Sequence, residues 1–410
     1  MRPKRAFIVV LFLTLAILAC ANPLRTPSQP VNVETVVAMT FQALTASANE
    51  PGATPGVTPP PSTSSLLPFS LYFLNNDSAG LMQVFRLEKD GKAVTQVTFE
   101  PAEVTSYDPS PVDGSVVYVS NNQLLIVNAD GSNRRVLLDG GAKDENNPFL
   151  NNISNPVWSP SGETIAYGYK GLNFYSVASG QSNLVLENDL DDLGNGMIIP
   201  RELYFPEHYS WDGSKLLITL GYYEGASSAI YYFQGDALVR LTGGEGALIC
   251  CGEPTWSPDA SALYAGNPSM GMYAPGLWRV DAASGVVTTL LPGDAGNGTF
   301  NFADEPFLAP DGQLYFFFAN QPLEDEFVSR VPLQLVRSGP DGVIGRTPVR
   351  SETFTSINEA LWAPDGSFVI VATAPIDQVY QGGIAEIYYT DGQQEVIRLV
   401  DFAMNMKWGP

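Results

Sequence analysis

The sequence contains little of what enzymes commonly use for catalysis or metal binding. There is one histidine, His208, and there are three cysteines in 410 residues. A single imidazole excludes a multi-histidine metal centre, and no Gly-x-Ser-x-Gly segment provides the nucleophile of a hydrolase triad. The cysteines have no further ligand-type residues near them in the sequence that would complete a zinc site. We therefore expect a protein that is not an enzyme.

Positive charge is also scarce. The chain has 21 Lys and Arg residues against 43 Asp and Glu residues, a net charge of −22. A surface of this sign repels phosphate backbones, so we expect no nucleic-acid partner, although the charge can equally serve solubility alone. Aromatic residues make up 11% of the chain, and Gly (38) and Pro (32) are frequent. This composition favours an all-β protein with many short strands joined by turns.

No apolar run is long enough to span a bilayer. The run from Ala6 to Ala19 is shorter than the roughly 20 residues of a spanning helix, and basic residues precede it. Residues 1–19 are therefore predicted to be a secretory signal peptide. Ile17-Leu18-Ala19-Cys20 resembles the lipobox of bacterial lipoproteins. The resemblance implies that Cys20 carries fatty acids such as palmitate and anchors the protein to the cell membrane, outside the cytoplasm. Plain secretion is the alternative.

Residues 20–68 have the composition of a flexible tether. Asn49–Ser65 is rich in Pro, Thr and Ser and cannot bury enough apolar area to offset the cost of its ordering. Apolar residues at helical spacing predict a short amphipathic helix within the tether; they are Val33, Val36, Val37, Phe41 and Leu44. The globular domain is predicted to span residues 69–410.

One pattern recurs in this domain at intervals of roughly 50 residues. An aromatic residue is followed by Ser/Ala-Pro-Asp-Gly or a close variant, and then by an apolar strand. The copies are Tyr107–Tyr118, Asn155–Tyr167, Tyr209–Ile218, Glu253–Tyr264, Glu305–Phe316 and Glu359–Val371. A second Gly-containing turn follows each copy between two further apolar strands. Each repeat is therefore predicted to be one four-stranded blade of a β-propeller.

These motifs resemble the TolB-like, WD-repeat-like propeller repeats. The resemblance covers about 340 residues and implies a fold but no activity. Met404–Pro410 has the motif without its following strand, and Ser70–Leu74 is such a strand without its motif. We expect these two segments to pair and to close a single propeller of seven four-stranded blades, because closure removes the open sheet edges. Blades one, two and four depart most from the pattern, so six or eight blades remain alternatives to seven.

Antiparallel order places the two tight turns of every blade on one face, the turn face. The other connections lie on the opposite face, the loop face, which is where binding usually occurs. They include four long segments, Gly140–Ser154, Asn188–Phe205, Pro292–Ala303 and Asn320–Pro332. The inner strands are expected to begin on this face with polar residues beside the channel: Asn155, Glu207, Glu253, Glu305, Glu359 and Asn405.

This ring predicts an acidic channel mouth that binds a basic peptide or protein segment, or a Ca²⁺ ion. The alternative is that these side chains only bond to strand backbones. Expected neighbours on the loop face are Tyr222, Tyr223, Met272 and Tyr273. A weaker Ca²⁺ candidate, with an ordinary solvated loop as its alternative, consists of Asp189, Asp191 and Asp192.

Cys250 and Cys251 can form a vicinal disulfide in an oxidising compartment, or remain free thiols in a structural turn. Our leading hypothesis is a monomeric, non-enzymatic cell-envelope lipoprotein that binds a protein or peptide. The alternative is a surface enzyme, glycan- or metal-dependent, that uses two channel carboxylates at a suitable separation.

Overall fold

The computed structural model describes residues 65–144, 146–194, 196–243, 253–271, 273–323 and 330–410. They belong to one compact unit, Thr63–Pro410. The predicted signal peptide, Cys20 and the predicted tether up to residue 64 lie outside the described residues. Within these ranges the regular secondary structure is strand, apart from one 3-10 turn at Pro148–Leu150. None of the described helices could cross a membrane.

The strands of the described residues follow one another along the whole domain. In chain order they are β1 (Ser70–Asn76), β2 (Met82–Leu87), β3 (Val94–Gln96), β4 (Val104–Pro109), β5 (Val116–Ser120), β6 (Gln123–Val127), β7 (Arg135–Asp139), β8 (Ser154–Trp158), β9 (Thr164–Gly168), β10 (Gly171–Ser176), β11 (Gln181–Glu187), β12 (Asp189–Asp192), β13 (Ile198–Tyr209), β14 (Lys215–Tyr222), β15 (Gly225–Tyr232), β16 (Ala237–Arg240), β17 (Thr255–Trp256), β18 (Ala262–Asn267), β19 (Gly276–Asp281), β20 (Val287–Leu291), β21 (Phe300–Leu308), β22 (Leu314–Gln321), β23 (Leu333–Ser338), β24 (Thr347–Phe354), β25 (Ile357–Trp362), β26 (Phe368–Thr373), β27 (Gly383–Tyr389) and β28 (Ile397–Gly409).

These strands form antiparallel sheets in which each strand pairs with the next one along the chain. Four sheets have four strands each: β4–β7, β8–β11, β17–β20 and β21–β24. A fifth sheet holds β13–β16, with β12 added to the first part of the long strand β13. The sixth has the order β25-β26-β27-β28-β1-β2-β3. The all-β class and the repeated four-stranded unit follow the prediction.

The sixth sheet contains the pairing of the two ends of the domain. The first half of β28 pairs with β27, whereas its second half pairs with β1, in the register Ser70↔Gly409 and Leu71↔Trp408. The indole N–H of Trp408 also donates to the Trp362 carbonyl, at 2.8 Å. The predicted pairing of the C-terminal motif with Ser70–Leu74 is thus confirmed. It divides this sheet into two groups of four strands.

The Pro-Asp-Gly motif forms the turn that the sequence predicts. Gly114, Gly213 and Gly366 have φ between +69° and +74°, a conformation that glycine adopts without steric cost. The Asp side chain closes the turn, as where Asp365 accepts hydrogen bonds from the backbone and hydroxyl of Ser367 at 3.0 and 2.7 Å. These local bonds reverse the chain between the first two strands of a sheet.

Neighbouring sheets are joined by clusters of buried apolar side chains. A separate cluster lies at each junction between one group of four strands and the next. A further cluster links β26–β28 to β1 and β2. Trp362 illustrates the contact: its ring stacks on Phe307 at 5.4 Å, and its indole N–H donates to the Glu305 carbonyl at 3.0 Å. The motif tryptophan therefore packs between adjacent sheets, as expected of a large apolar plate.

The first strands of the sheets also lie against one another. Contacts join β4 to β8, β8 to β13, β17 to β21, β21 to β25, β25 to β28 and β28 to β4. Between β13 and β17 the Trp211 indole donates to the Trp256 carbonyl, at 3.2 Å. We call these first strands, with the second half of β28, the inner strands.

Three expectations about segment boundaries need correction. Asn188–Phe205 is not an irregular loop: β12 and β13 form a hairpin, because the backbone of β13 continues past the sheet and pairs with β12. The segment Pro292–Ala303 likewise includes the start of β21, which pairs with β22. Leu67, assigned to the tether, is buried in the cluster that contains Leu71, so the folded unit includes it.

Candidate functional site

The predicted channel residues lie at irregularities of the inner strands. The strand register shifts around Asn155 in β8, Glu207 in β13 and Glu305 in β21, and near Glu359 in β25 and Asn405 in β28. Each shift is a bulge, which inserts an extra residue and re-aims its side chain. The sequence repeat therefore marks equivalent places in successive sheets.

Backbone strain accompanies these bulges. Asn155, Glu305 and Asn405 have φ of +48°, +48° and +52°, in the left-handed region that non-glycine residues seldom occupy. Such strain persists only where the surrounding structure fixes it, and it is often found at functional sites.

The position of these residues within their strands differs from the expectation. Glu207 and Glu305 are not the first residues of inner strands: they lie well inside β13 and β21, because both strands continue toward the loop face. Glu305 is consequently buried, whereas Glu253 and Asn405 are exposed and Glu207 and Glu359 are half-buried. The predicted open mouth is therefore a partly enclosed group of carboxyls.

Four glutamates from four sheets share one electrostatic neighbourhood. The charge of Glu253 acts to raise the pKa values of Glu207, Glu305 and Glu359. We call Glu207, Glu253, Glu305, Glu359 and the adjacent Lys407 the channel cluster. The cluster is less negative than the number of its glutamates suggests.

The reason is that burial favours the neutral carboxyl. Removal from water, followed by the charge of Glu253, raises the pKa of Glu359 to about 8. Burial also raises the pKa of Glu207 to about 7, and that of Glu305 well above its usual range. The charged forms of Glu305 and Glu359 are therefore disfavoured at neutral pH, whereas Glu207 is partly ionised there.

Glu359 also connects two inner strands directly. One of its carboxylate oxygens accepts a hydrogen bond from the backbone N–H of Met406 in β28. A carboxyl that bonds to a neighbouring inner strand performs the structural role that the sequence left open as an alternative. Its protonation and this bond are compatible, because a neutral carboxyl keeps a carbonyl oxygen as acceptor.

Lys407 is the residue of this site that the sequence reasoning missed. Its ammonium group pairs with Asp108 at 2.8 Å and lies 5.7 Å from the centre of the Tyr107 ring. Burial opposes its charge, but Asp108, Glu253 and Glu207 more than compensate and raise its pKa. A lysine one residue before the motif tryptophan, where the other copies have apolar or small residues, is the signal that could have identified it.

Asp108 fixes this pair to the next sheet. Its second carboxylate oxygen accepts the backbone N–H of Trp158 at 2.6 Å. Beside it, the Tyr107 hydroxyl donates to the carbonyl of Asn405 at 2.6 Å. Three inner strands, β4, β8 and β28, are thereby joined through polar contacts.

His208 lies between the sheets of β13 and β17 and faces the Trp256 ring edge-on at 6.5 Å. Burial and then the charge of Lys407 lower its pKa to about 4, so the imidazole is neutral at physiological pH. Its Nε2 atom is buried without a hydrogen-bond partner among the described residues.

The remaining predicted contacts are dispersed. Tyr223 is 62% exposed, but the hydroxyl of Tyr222 is bonded to the Ser227 hydroxyl at 2.7 Å, and Tyr273 is half-buried. Met272, Cys250 and Cys251 lie outside the described residues, so the disulfide remains a prediction.

The acidic segment proposed as a weak Ca²⁺ loop is a strand. Asp189, Asp191 and Asp192 belong to β12, and Asp191 pairs with Arg201 of β13 at 2.5 Å. Successive strand side chains point to opposite faces, which separates adjacent ligands. Among the described residues, no three His, Cys, Asp or Glu side chains are arranged to hold a metal ion.

A cavity of about 220 Å³ opens on the loop face between the sheets of β8 and β13. Four rings line it, two on connections and two on β13: Phe149, Tyr169, Tyr204 and Phe205. Polar lining side chains include Asn152, Asn188 and Lys170. We call this the aromatic cavity; the sequence analysis did not identify it, because its walls come from segments without a shared motif.

Comparison with known proteins identifies the type of fold. No protein-family model and no curated protein sequence matches the chain. An oligogalacturonate lyase in complex with manganese is 10% identical over 80% of this chain and 84% of its own, with a TM-score of 0.50. A puromycin-hydrolyzing peptidase of Mycobacterium tuberculosis is 14% identical over 82% and 52%, with a TM-score of 0.51. TolB from Acinetobacter baumannii is 17% identical over 92% and 71%, with a TM-score of 0.44.

The lyase and the peptidase have propeller-type folds, and the four-stranded antiparallel sheets of this chain agree with that class. The chain spans about half the length of the peptidase. Identities this low indicate the fold alone, since one fold supports unrelated activities.

The Lys407–Asp108 pair predicts a difference between two ion pairs of the same strand. Lys407→Met should lower the free energy of unfolding by about 1–3 kcal/mol, because it leaves a largely buried carboxylate without its partner. Arg398→Met is the control: its pair with Asp401 has the same 2.8 Å separation but is exposed, so the loss should stay below about 0.5 kcal/mol. Urea unfolding of both variants measures this, and equal losses would contradict it.

The raised pKa values predict that stability falls as pH rises. A carboxyl whose pKa is raised by folding stabilises the fold fully below its unfolded pKa and loses that contribution through its folded pKa. For Glu359 this window extends from about 4.5 to about 8. His208, with a folded pKa of about 4, opposes the trend only below about pH 6.5.

Glu359→Gln should therefore stabilise the protein by roughly 1–2 kcal/mol more at pH 9 than at pH 6.5, because the amide cannot ionise. Glu207→Gln should act in the same direction but level off about one pH unit earlier, since its pKa is about 7. Urea unfolding across this pH range provides the measurement. Profiles parallel to that of the unchanged protein would show that these carboxyls are not held neutral.

Proposed function

We propose that this protein is a lipid-anchored, extracytoplasmic binding propeller that engages a protein or peptide partner through its loop face. The sheets form a single ring of seven four-stranded blades, closed by β28 and β1. Supporting this ring, a buried apolar cluster joins every group of four strands to the next and the last to the first. Pairing of the chain ends supports closure.

The observation that carries a binding role is the convergence of polar groups from separate blades. Glu253, just before β17, and Asn405 are exposed, and the charge of Glu253 reaches Glu207, Glu305 and Glu359 on three inner strands. A recessed group of polar side chains, with Glu253 exposed at its edge and long connections around it, suits recognition of a polypeptide segment. Rigid strands hold this group, and the loops around it supply a partner-specific surface.

Burial of the channel carboxyls disfavours the enzymatic alternative. A glycosidase needs two carboxyls flanking a bond in an open cleft. Here Glu305 is buried, and an oxygen of Glu359 is occupied by the Met406 N–H. The motif aromatic packs between sheets, so it is not available to stack on a substrate. We therefore propose a non-enzymatic role.

Photo-cross-linking tests the choice of face. A photoreactive phenylalanine analogue at Tyr223, on the loop face, should form a discrete protein adduct in the native cells. The same analogue at Ile344, which is 73% exposed on the turn face, is the matched control and should form none. An adduct found only from Ile344, or the same adducts from both positions, would contradict the proposed binding face.

The anchor is tested separately. Cys20→Ala should move the protein from the membrane fraction to the soluble extracytoplasmic fraction, because dual acyl chains supply most of the membrane affinity. Incorporation of an alkyne-tagged palmitate should be lost in the same variant. Retention of label or of membrane association in Cys20→Ala would overturn the proposed lipidation site.

A further inference from the structure

The aromatic cavity has a size that suits one side chain. Its volume, about 220 Å³, is below the roughly 300 Å³ at which pockets for drug-sized ligands begin. Its walls come from the 3-10 turn Pro148–Leu150, the β9–β10 turn and the outer part of β13. Rings of partly buried aromatic residues provide an apolar lining that is accessible from the loop face.

The backbone around the cavity keeps this space open. Gly168 lines it, and a Cβ there would lie 2.6 Å from the Ser154 hydroxyl oxygen. The Tyr204 hydroxyl donates to Glu202 at 2.6 Å, and the Tyr204 backbone N–H donates to the Asn188 side chain at 3.2 Å. These bonds fix the position of Tyr204 in the wall, so the cavity is a built feature of the fold.

Lys170 restricts what the cavity can accept. Its φ of +56° lies in the left-handed region, where glycine or asparagine is more common, and its ammonium group lies 5.3 Å from the centre of the Tyr169 ring. The ring face that would attract a cation is thus already used. A second cation in the cavity would be repelled, so an uncharged aromatic side chain fits better.

The surface beside the cavity favours positively charged groups, whereas the cavity itself disfavours them. Asn188, which lines it, leads directly into β12, whose sequence is Asp189-Leu190-Asp191-Asp192. Arg201 neutralises Asp191, but Asp189 and Asp192 are exposed and have no ion pair among the described residues. A segment crossing the cavity toward this hairpin meets uncompensated negative charge. Cationic residues beside the aromatic anchor would complement it.

We propose that the aromatic cavity and β12 together bind a basic peptide segment, whose aromatic side chain enters the cavity and whose flanking cations face Asp189 and Asp192. This inference rests on the proposed binding function and names its site and partner chemistry. It places the anchoring contact on the loop face, between the sheets of β8 and β13.

Labelled pentapeptides and the full-length protein test this by fluorescence anisotropy. A central phenylalanine flanked by four lysines should bind measurably. Replacing the phenylalanine by alanine, or the lysines by glutamates, should weaken binding at least tenfold. Phe205→Ala and Tyr169→Ala should each cause a similar loss, whereas Ile344→Ala, on the turn face, should stay within twofold. If Phe205→Ala lowers the melting midpoint, the variant in the β9–β10 turn, Tyr169→Ala, decides.

The charge contribution has its own readout. The double variant Asp189→Asn, Asp192→Asn should bind the lysine peptide several-fold more weakly and with a smaller dependence on salt. Unchanged affinity in the cavity variants, preference for the glutamate peptide, or saturable binding of a neutral hexasaccharide instead would each overturn the inference.

The proposed function fails separately from this inference. One outcome is that a partner is cross-linked through Tyr223, that Phe205→Ala does not affect its capture, and that the lysine peptide does not bind. This outcome would contradict the aromatic cavity as the binding site but not the proposed function. If the peptide binds through the cavity but no loop-face partner is found in cells, the binding site is supported and the proposed function is contradicted.

Discussion

The structure depends on the division of one strand between two neighbours. β28 pairs with β27 over its first half and with β1 over its second, so the last segment of the chain completes a sheet that the first segment begins. Without this pairing β1 would present a free hydrogen-bonding edge in the middle of an apolar cluster. The Ser70 hydroxyl adds a further contact between the two ends of the domain, donating to the Pro410 carbonyl at 3.1 Å.

The same strand carries the counter-charge of the channel cluster. Lys407 lies in the second half of β28, and the carboxylates that act on it come from three other parts of the chain: Asp108 in β4, Glu207 in β13 and Glu253 just before β17. An unpaired buried charge is costly, whereas a paired one specifies a single arrangement. The closing strand therefore contributes hydrogen bonds at its edge, apolar packing through Trp408 and electrostatic complementarity on its inner side. A slip of its register would lose all three.

Much of this could be predicted from the sequence, because the repeat is local. The Pro-Asp-Gly turn, the apolar strand after it and the motif tryptophan recur together, and their order predicts four-stranded sheets and the pairing of Ser70–Leu74 with the C-terminus. Burial is not local, and that is why the channel residues were only partly anticipated. Glu305 belongs to a strand that begins at Phe300, a length set by pairing with β22. The role of Lys407 follows from its ion pair with Asp108, which is remote in sequence.

The two candidate sites differ in how they can evolve new partners. The channel cluster consists of groups that also hold inner strands together, as Glu359 does with Met406, so a change made for binding would also change stability. The aromatic cavity also takes two of its rings, Phe149 and Tyr169, from connections between strands, where substitutions leave the strand pairing intact. Because stability and recognition are less coupled there, the proposed binding function places partner specificity in the connections rather than in the channel cluster.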